Sequence, residues 1–318
     1  MPEISVIIPS YNNGPYIGRA IESVLNQSFS DLELIIIEDC STDNSREIIA
    51  SYRDPRIRTI YHEKNKGVSA ARNSGIKEAK GTYIAILDAD DVFLETRLER
   101  MYEEIRENPE IGLVHTDLII ITPQEEILGT LTGKKAYSSG YISGEVFRRR
   151  GCHLGQPLMK KECIESVGYY DETLIGGEDY DLYHRLTHCY SIAYVQESLY
   201  LYRFHQTNAT KKYRSILTHY KAYLDKSFAA DHEGVYTSVQ AEAYSHYFLD
   251  LIFVWIQECS KSTFFSILCE IKQAFQSYGH HIPSAIIPFI KVTIRRIKRK
   301  AKKKIAQMRK KPFIQIGW

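Results

Sequence analysis

Through its first third the chain alternates short apolar, β-branched runs with stretches of helical periodicity, which restricts that part to an α/β fold with a parallel sheet and crossover helices. Ser5 to Ile8, Glu33 to Ile37, Arg58 to Tyr61 and Tyr83 to Leu87 read as strands. Between them, Tyr16 to Asn26 gathers Ile17, Ala20, Ile21, Val24 and Leu25 on one helical face, and Asp43 to Tyr52, Ser69 to Ala79 and Glu95 to Arg106 follow as helices. Functional groups in open parallel sheets collect where strands end and the backbone leaves the ladder. Those ends read Pro9-Ser10-Tyr11-Asn12, Glu38-Asp39, Glu63 to Gly67 and Asp88-Ala89-Asp90-Asp91, so four polar clusters are expected to face one crevice.

Beyond Gly112 the pattern loosens. Leu113 to Ile121 and Ile192 to Phe204 read as strands, Glu178 to Leu186 as a helix, and Gly133 to Gly144 as a loop that leads into Glu145 to Arg150. From about Lys212 the chain turns aromatic and helical, with Tyr213, Tyr220, Tyr223, Tyr244, Tyr247 and Trp255. The expected organisation is a catalytic domain over 1–210, an aromatic helical region over 211–284 and a basic amphipathic tail over 285–318. The six cysteines have neither CxxC nor zinc-ligand spacing, which suits a reducing compartment. No signal peptide is expected at the start, and the apolar stretches near 247–256 and 282–290 are interrupted by Asp250, Pro283 and Pro288.

Asp88 and Asp90 flank one residue directly after an apolar strand. Two carboxylates so presented can hold a hard divalent cation while leaving positions open for phosphate oxygens; capping of a following helix is the ordinary alternative. Asp39, an acceptor-only carboxylate at the end of the second strand, suits hydrogen bonds from a base or ribose, whereas Thr42 and Asp43 read as helix caps. Arg72, on the first turns of a helix, offers a cation to phosphate or base. Glu178-Asp179 opens another helix, whose dipole favours ionised carboxylates.

Val6-Ile7-Ile8-Pro9-Ser10-Tyr11-Asn12, Ile37-Glu38-Asp39-Cys40-Ser41-Thr42-Asp43, Ala71-Arg72-Asn73, Leu87-Asp88-Ala89-Asp90-Asp91 and Gly177-Glu178-Asp179-Tyr180-Asp181-Leu182 stand in the order found in family 2 glycosyltransferases. From Ile4 to about Thr210 the chain resembles that family. The resemblance implies a GT-A fold, an inverting transfer, a nucleotide-sugar donor (a UDP-sugar is expected) and manganese or magnesium. It implies that Pro9, Tyr11 and Asp39 line the nucleoside pocket with Arg72 beside it. Asp88 and Asp90 would form the DxD motif, Asp90 being the direct metal ligand, and Asp179 would be the general base. Tyr202-Arg203-Phe204-His205 is similar to the family's closing motif, which makes His205 a further candidate for the metal or the diphosphate. Glu178 is a candidate acceptor contact, and 151–157 is the stretch where related enzymes line the acceptor pocket. Glu38 and Cys40 depart from the family's usual Asp and Gly, so the turn after the second strand is expected to differ in shape.

Twelve Lys or Arg and no acid follow from Lys291, which leaves 29 bases against 39 acids in the preceding part. Ile287, Ile290, Ile294, Ile297, Ala301, Ile305 and Met308 draw an apolar stripe along the same segment. That composition suits a helix lying on an anionic membrane surface, with each basic residue contributing about 1 kcal/mol. Packing on the aromatic region or pairing with a second copy are the competing readings; the acidic body disfavours nucleic acid. The expectation is a cytoplasmic protein, peripheral on the cytoplasmic face of the membrane, acting on a glycan or lipid-linked acceptor. A non-catalytic nucleotide-sugar scaffold and a metal-dependent nucleotidyltransferase are the alternatives, the latter having no use for Asp179.

Overall fold

The structure is a computed structural model. It describes residues 1–133, 139–144, 156–174 and 176–205, the backbone of 213–220, residues 221–231, and 234, 236, 239, 240 and 243. The segment 145–150, most of the acceptor stretch, the aromatic residues Tyr244, Tyr247 and Trp255, and the basic tail lie outside the described residues. Met1–Ala230 forms one compact unit and Asp231–Trp318 another.

The first unit is built on a nine-stranded sheet ordered β3-β2-β1-β4-β8-β6-β9-β5, with β7 also on β6. The strands are β1 (Ile4–Ser10), β2 (Leu32–Glu38), β3 (Ile57–Tyr61), β4 (Tyr83–Ile86), β5 (Val92–Phe93), β6 (Ile111–Ile121), β7 (Ile127–Leu131), β8 (Leu158–Lys160) and β9 (Ser191–Arg203). β1 to β4 are mutually parallel, β8 runs against both β4 and β6, and β6 pairs in parallel with β9. Six of the nine strands therefore point the same way, the expected mostly parallel sheet. The helices are α1 (Gly14–Leu25), α2 (Ser45–Ser51), α3 (Val68–Glu78), α4 (Arg97–Arg106), α5 (Lys161–Val167), α6 (Glu178–Cys189) and α7 (Tyr213–Ala229).

β1 and β2 are almost wholly apolar because both sheet faces are covered. Along β2, Leu34 and Ile36 join one buried cluster with Ile17 and Ile21 of α1 and Leu98 and Met101 of α4; Ile35 and Ile37 join a second with Ile76 of α3, Ile164 of α5 and Leu182 of α6. Each fully buried Ile or Leu contributes about 2 kcal/mol of transfer free energy, so this alternation fixes the register as well as the layers. A Cβ on Gly75 would stand 2.5 Å from Ile7 Cγ2, which is why α3 can lie this close to β1.

Two helix starts are satisfied from outside their own sequence. Asp43 accepts from Gly14 N at 2.8 Å and from Ser45 N at 3.0 Å, and Ser45 Oγ accepts from Asn13 N, so α1 and α2 are pinned together. These bonds hold the Asp43 carboxyl below its usual range against the opposing effect of burial. The left-handed turn after β2 persists despite its side chain: Cys40 has φ of +64°, the conformation a glycine would favour, and the expected change of shape is absent in that respect. At the far end of the unit, Lys226 of α7 donates to Asp171 and, at 3.1 Å, to Asp181 in the first turns of α6. Residues 213–229, assigned from sequence to the helical region, thus belong to the first compact unit. Among the described residues no helix is long and apolar enough to cross a membrane.

Candidate functional site

The sheet delivers its polar residues where β1, β2 and β4 end. β4 stops at Ile86, and Asp88 to Asp91 form a turn closed by Asp91 N donating to Asp88 O at 3.0 Å. Two-residue β5 follows at once and pairs with Leu201 and Tyr200 of β9. Asp88 is therefore no helix cap: α4 begins at Arg97, with Thr96 before it. The pairing of β5 with β9 brings the end of β9 to the turn. Asp91 is buried and accepts from Arg203 N at 2.7 Å and from the Tyr200 hydroxyl. Burial, then the charges of Asp90 and Asp88, push its pKa well above the usual carboxylate range. Its part is to fasten β9 to the turn, a role the sequence does not signal.

Asp90 Oδ2 lies 2.8 Å from His205 Nε2, and the Asp90 carbonyl accepts from Arg203 Nε at 2.8 Å. The His205 ring lies against Tyr16, tilted by 32° with ring centres 5.0 Å apart. Burial and the neighbouring Asp88 raise the Asp90 pKa, opposed by the bond to His205.

The other wall is the start of α6. Gly177 precedes it in the left-handed conformation, φ of +79°, turning the chain so that Glu178 and Asp179 lead the helix. Arg72, 3% exposed, reaches both walls: Nη2 donates to Asp88 Oδ1 at 2.9 Å, and Nη1 to Glu178 Oε1 at 3.0 Å and Asp179 Oδ1 at 2.9 Å. One guanidinium thus holds acids that stand far apart in the chain. Burial alone would lower the Arg72 pKa; Asp179, Asp88 and Glu178 raise it well above the ordinary value. The Tyr170 ring lies 5.1 Å from its guanidinium carbon, a cation–π contact.

Asp179 keeps 31% of its side chain open, yet its pKa is pushed up to about 7. Burial is the largest cause, Arg72 opposes it, and the charges of Glu178 and Asp88 add to the rise. The helix dipole, expected to favour the ionised form, is outweighed by these neighbours.

The residues expected to line a nucleoside pocket take unlike positions. Pro9 is buried within β1 and Tyr11, just past its end, is 46% exposed. Asp39 is buried and accepts from His62 Nδ1 at 2.6 Å, from Lys66 N at 2.9 and 3.1 Å and from Gly67 N at 2.9 Å. It holds the 62–67 segment against the end of β2. His62, unmarked in the sequence, is the partner that makes this possible, and its other nitrogen lies 3.0 Å from Ser74 Oγ.

The residues fit a divalent cation. Asp90 Oδ2 and His205 Nε2 are 2.8 Å apart, close to the roughly 3 Å between neighbouring ligands on an octahedral ion with bonds of about 2.1 Å. Among the described residues no group of three or more such side chains is arranged around a common point. A site with two protein ligands is the usual arrangement where substrate phosphates and water complete the shell. Around Arg72 alone three carboxylates face one cation, so a diphosphate would meet net negative charge unless a metal came with it.

The Glycosyl transferase family 2 model matches residues 5–137. The succinoglycan biosynthesis protein ExoO of Rhizobium meliloti is 30% identical over 242 residues, 73% of this chain and 67% of that protein. The chain belongs to glycosyltransferase family 2. The uncharacterized glycosyltransferase EpsJ of Bacillus subtilis is 46% identical over 110 residues, 34% of this chain and 32% of EpsJ; the chain thus spans about a third of the length of that relative. Among solved structures, S. aureus TarS 1–349 in complex with UDP-GlcNAc superimposes with a TM-score of 0.69 at 17% identity, covering 96% of this chain and 92% of TarS 1–349. The mannosyltransferase PcManGT of Pyrobaculum calidifontis, in complex with GDP-Man and Mn2+, gives 0.57 at 14% identity, with 86% and 81% covered. The fold of this family 2 chain is the GT-A fold.

Proposed function

We propose that this chain transfers a sugar from a nucleotide diphosphate donor, a UDP-sugar, to a glycan or lipid-linked acceptor, with inversion at the anomeric carbon. The carrying observation is the bridge of Arg72 between Asp88 and Asp179, which brings the DxD end of β4 and the start of α6 to one guanidinium. Inversion in a single displacement needs a base on the acceptor side and charge stabilisation on the leaving-group side. Asp179, with a pKa of about 7, is matched to taking a hydroxyl proton near neutrality. Glu178 is assigned to the acceptor side, and Pro9, Tyr11, Asp39, Arg72 and Asp88 to the donor. Asp90 and His205 would hold Mn2+ or Mg2+, which supplies positive charge to the departing diphosphate when bound.

The relatives support the substrate classes. ExoO is named for succinoglycan biosynthesis, which suits a role in polysaccharide synthesis, and TarS and PcManGT hold nucleotide sugars, the latter with Mn2+. The basic segment from Lys291 is assigned to an anionic membrane surface on the cytoplasmic side, where nucleotide sugars are made. The division into a catalytic part, a helical region and this tail belongs to the same proposal. The test is to incubate the full chain with a panel of UDP- and GDP-sugars, with and without Mn2+. Release of nucleoside diphosphate that depends on Mn2+ is expected. Pyrophosphate as the product would assign the chain to nucleotidyl transfer instead, and absence of turnover with donor still bound would leave a binding scaffold.

A further inference from the structure

Gln156 stands outside the recognised motifs, and its side chain touches a DxD carboxylate. Its Nε2 donates to Asp88 Oδ2 at 2.8 Å, on the oxygen that Arg72 leaves open, and the Tyr183 hydroxyl reaches its Oε1 at 3.4 Å. An ionised Asp88 only accepts, so the contact fixes which end of the amide faces it. Gln156 is 8% exposed.

Its backbone is unusual too. Gln156 has φ of +43°, a left-handed conformation that costs any residue bearing a Cβ and that glycine would take freely. Something must hold it there, and Arg97 does: Nη2 donates to the Gln156 carbonyl at 2.7 Å, while the guanidinium lies 4.9 Å from both the Phe93 and the Tyr200 rings. Arg97 is fully buried, and burial brings its pKa down to about 10, still charged at neutral pH. Arg97 Nη1 also donates to the Thr116 hydroxyl, so the buried charge ties the strained Gln156 carbonyl to β6. Strain of this kind persists where a side chain must point in one direction.

The chemistry of the amide explains the choice of residue. Asp88 already carries one charged partner in Arg72; a second cation would draw its remaining negative charge away from a donor-bound metal. A neutral amide orients the carboxylate without neutralising it. We propose that Gln156, locked by Arg97, is a positioning residue that sets the Asp88 carboxylate for the metal-bound donor diphosphate. This inference rests on the transferase reading above.

Mn2+-dependent binding of UDP, followed by calorimetry, and thermal unfolding of the full chain test it together. In Gln156→Gly the left-handed backbone is relieved while the amide is lost. UDP binding in the presence of Mn2+ should weaken roughly tenfold, the size of effect seen when a partner of a ligating group is removed, with the unfolding midpoint unchanged or raised. Gln156→Asn, which tolerates the conformation and keeps an amide, should recover part of the affinity. Unchanged binding in Gln156→Gly would overturn the assignment, as would a loss that tracks a lowered midpoint and is not recovered by Asn. A parent protein that binds no UDP with Mn2+ would instead defeat the donor reading, and the positioning role with it.

Discussion

Asp90 at the end of β4 and Asp179 at the start of α6 are both acids whose pKa burial raises, but their partners differ in kind. Asp90 faces His205, an imidazole of the kind that commonly ligates metals. Asp179 faces Arg72, a permanent cation shared with Glu178 and Asp88. The first arrangement can be reorganised by a ligand; in the second the guanidinium keeps its charge while Asp179 is the group that gains a proton. A crevice with one adaptable wall and one fixed wall suits a reaction in which a diphosphate enters and leaves on one side while a base must stay aimed on the other.

The sharpest way to break this contrast is to neutralise each acid separately. Asp179→Asn should lower turnover roughly a thousandfold with UDP binding in the presence of Mn2+ nearly intact, because it removes only the proton acceptor. Asp90→Asn should lose the Mn2+ dependence of that binding. Equal losses of both quantities in both variants would erase the distinction. Next in size, Arg72→Met leaves three carboxylates around a buried hole and should reduce unfolding free energy by about 3 to 5 kcal/mol at pH 8. Denaturant unfolding at pH 5 should give a smaller deficit, since the raised pKa of Asp179 means that it is already protonated there.

On the adaptable wall, His205→Gln should cost at least about tenfold in apparent Mn2+ affinity, read by titrating the metal against UDP binding. The smallest effect is on pH. The base must be ionised, so turnover should rise about tenfold per unit below pH 7 and level off above it. The stability linkage has the opposite sense. An acid whose folded pKa lies above its unfolded value near 4 stabilises least when fully ionised, so Asp179 favours folding progressively less as pH rises from about 4 through 7. A rate profile flat between pH 6 and 8 would remove Asp179 from the base position.

What the sequence revealed follows the range over which each feature is determined. β1, β2, β4 and α1 are local objects, set by apolar runs and a single helical stripe, and their bounds lie within a few residues of those read from the chain. β8 is three residues long and β5 two, too short for any periodicity, and both exist because neighbouring strands offer them a ladder. The site divides likewise. Asp88, Asp90, Arg72 and Asp179 stand in recognisable motifs. The guanidinium shared by Asp88 and Asp179, the Asp39–His62 pair and the fastening of β9 by Asp91 depend on contacts between distant segments that no spacing encodes. Cys40 carries a different lesson: a substitution that is costly in principle can be absorbed where the surrounding turn, here laced by Asn12 to Ser41 and Thr42, is held firmly enough.

Lys226 bears on how this protein can be dissected. Its ammonium is shared by two acids, Asp171 and the buried Asp181 of the helix that opens with Glu178 and Asp179, the latter also paired with Arg185. A fragment cut at residue 210, where the resemblance carried by the motifs ends, would strip Lys226 from the helix that opens with Glu178 and Asp179. The smallest excised piece worth purifying therefore runs through Ala229.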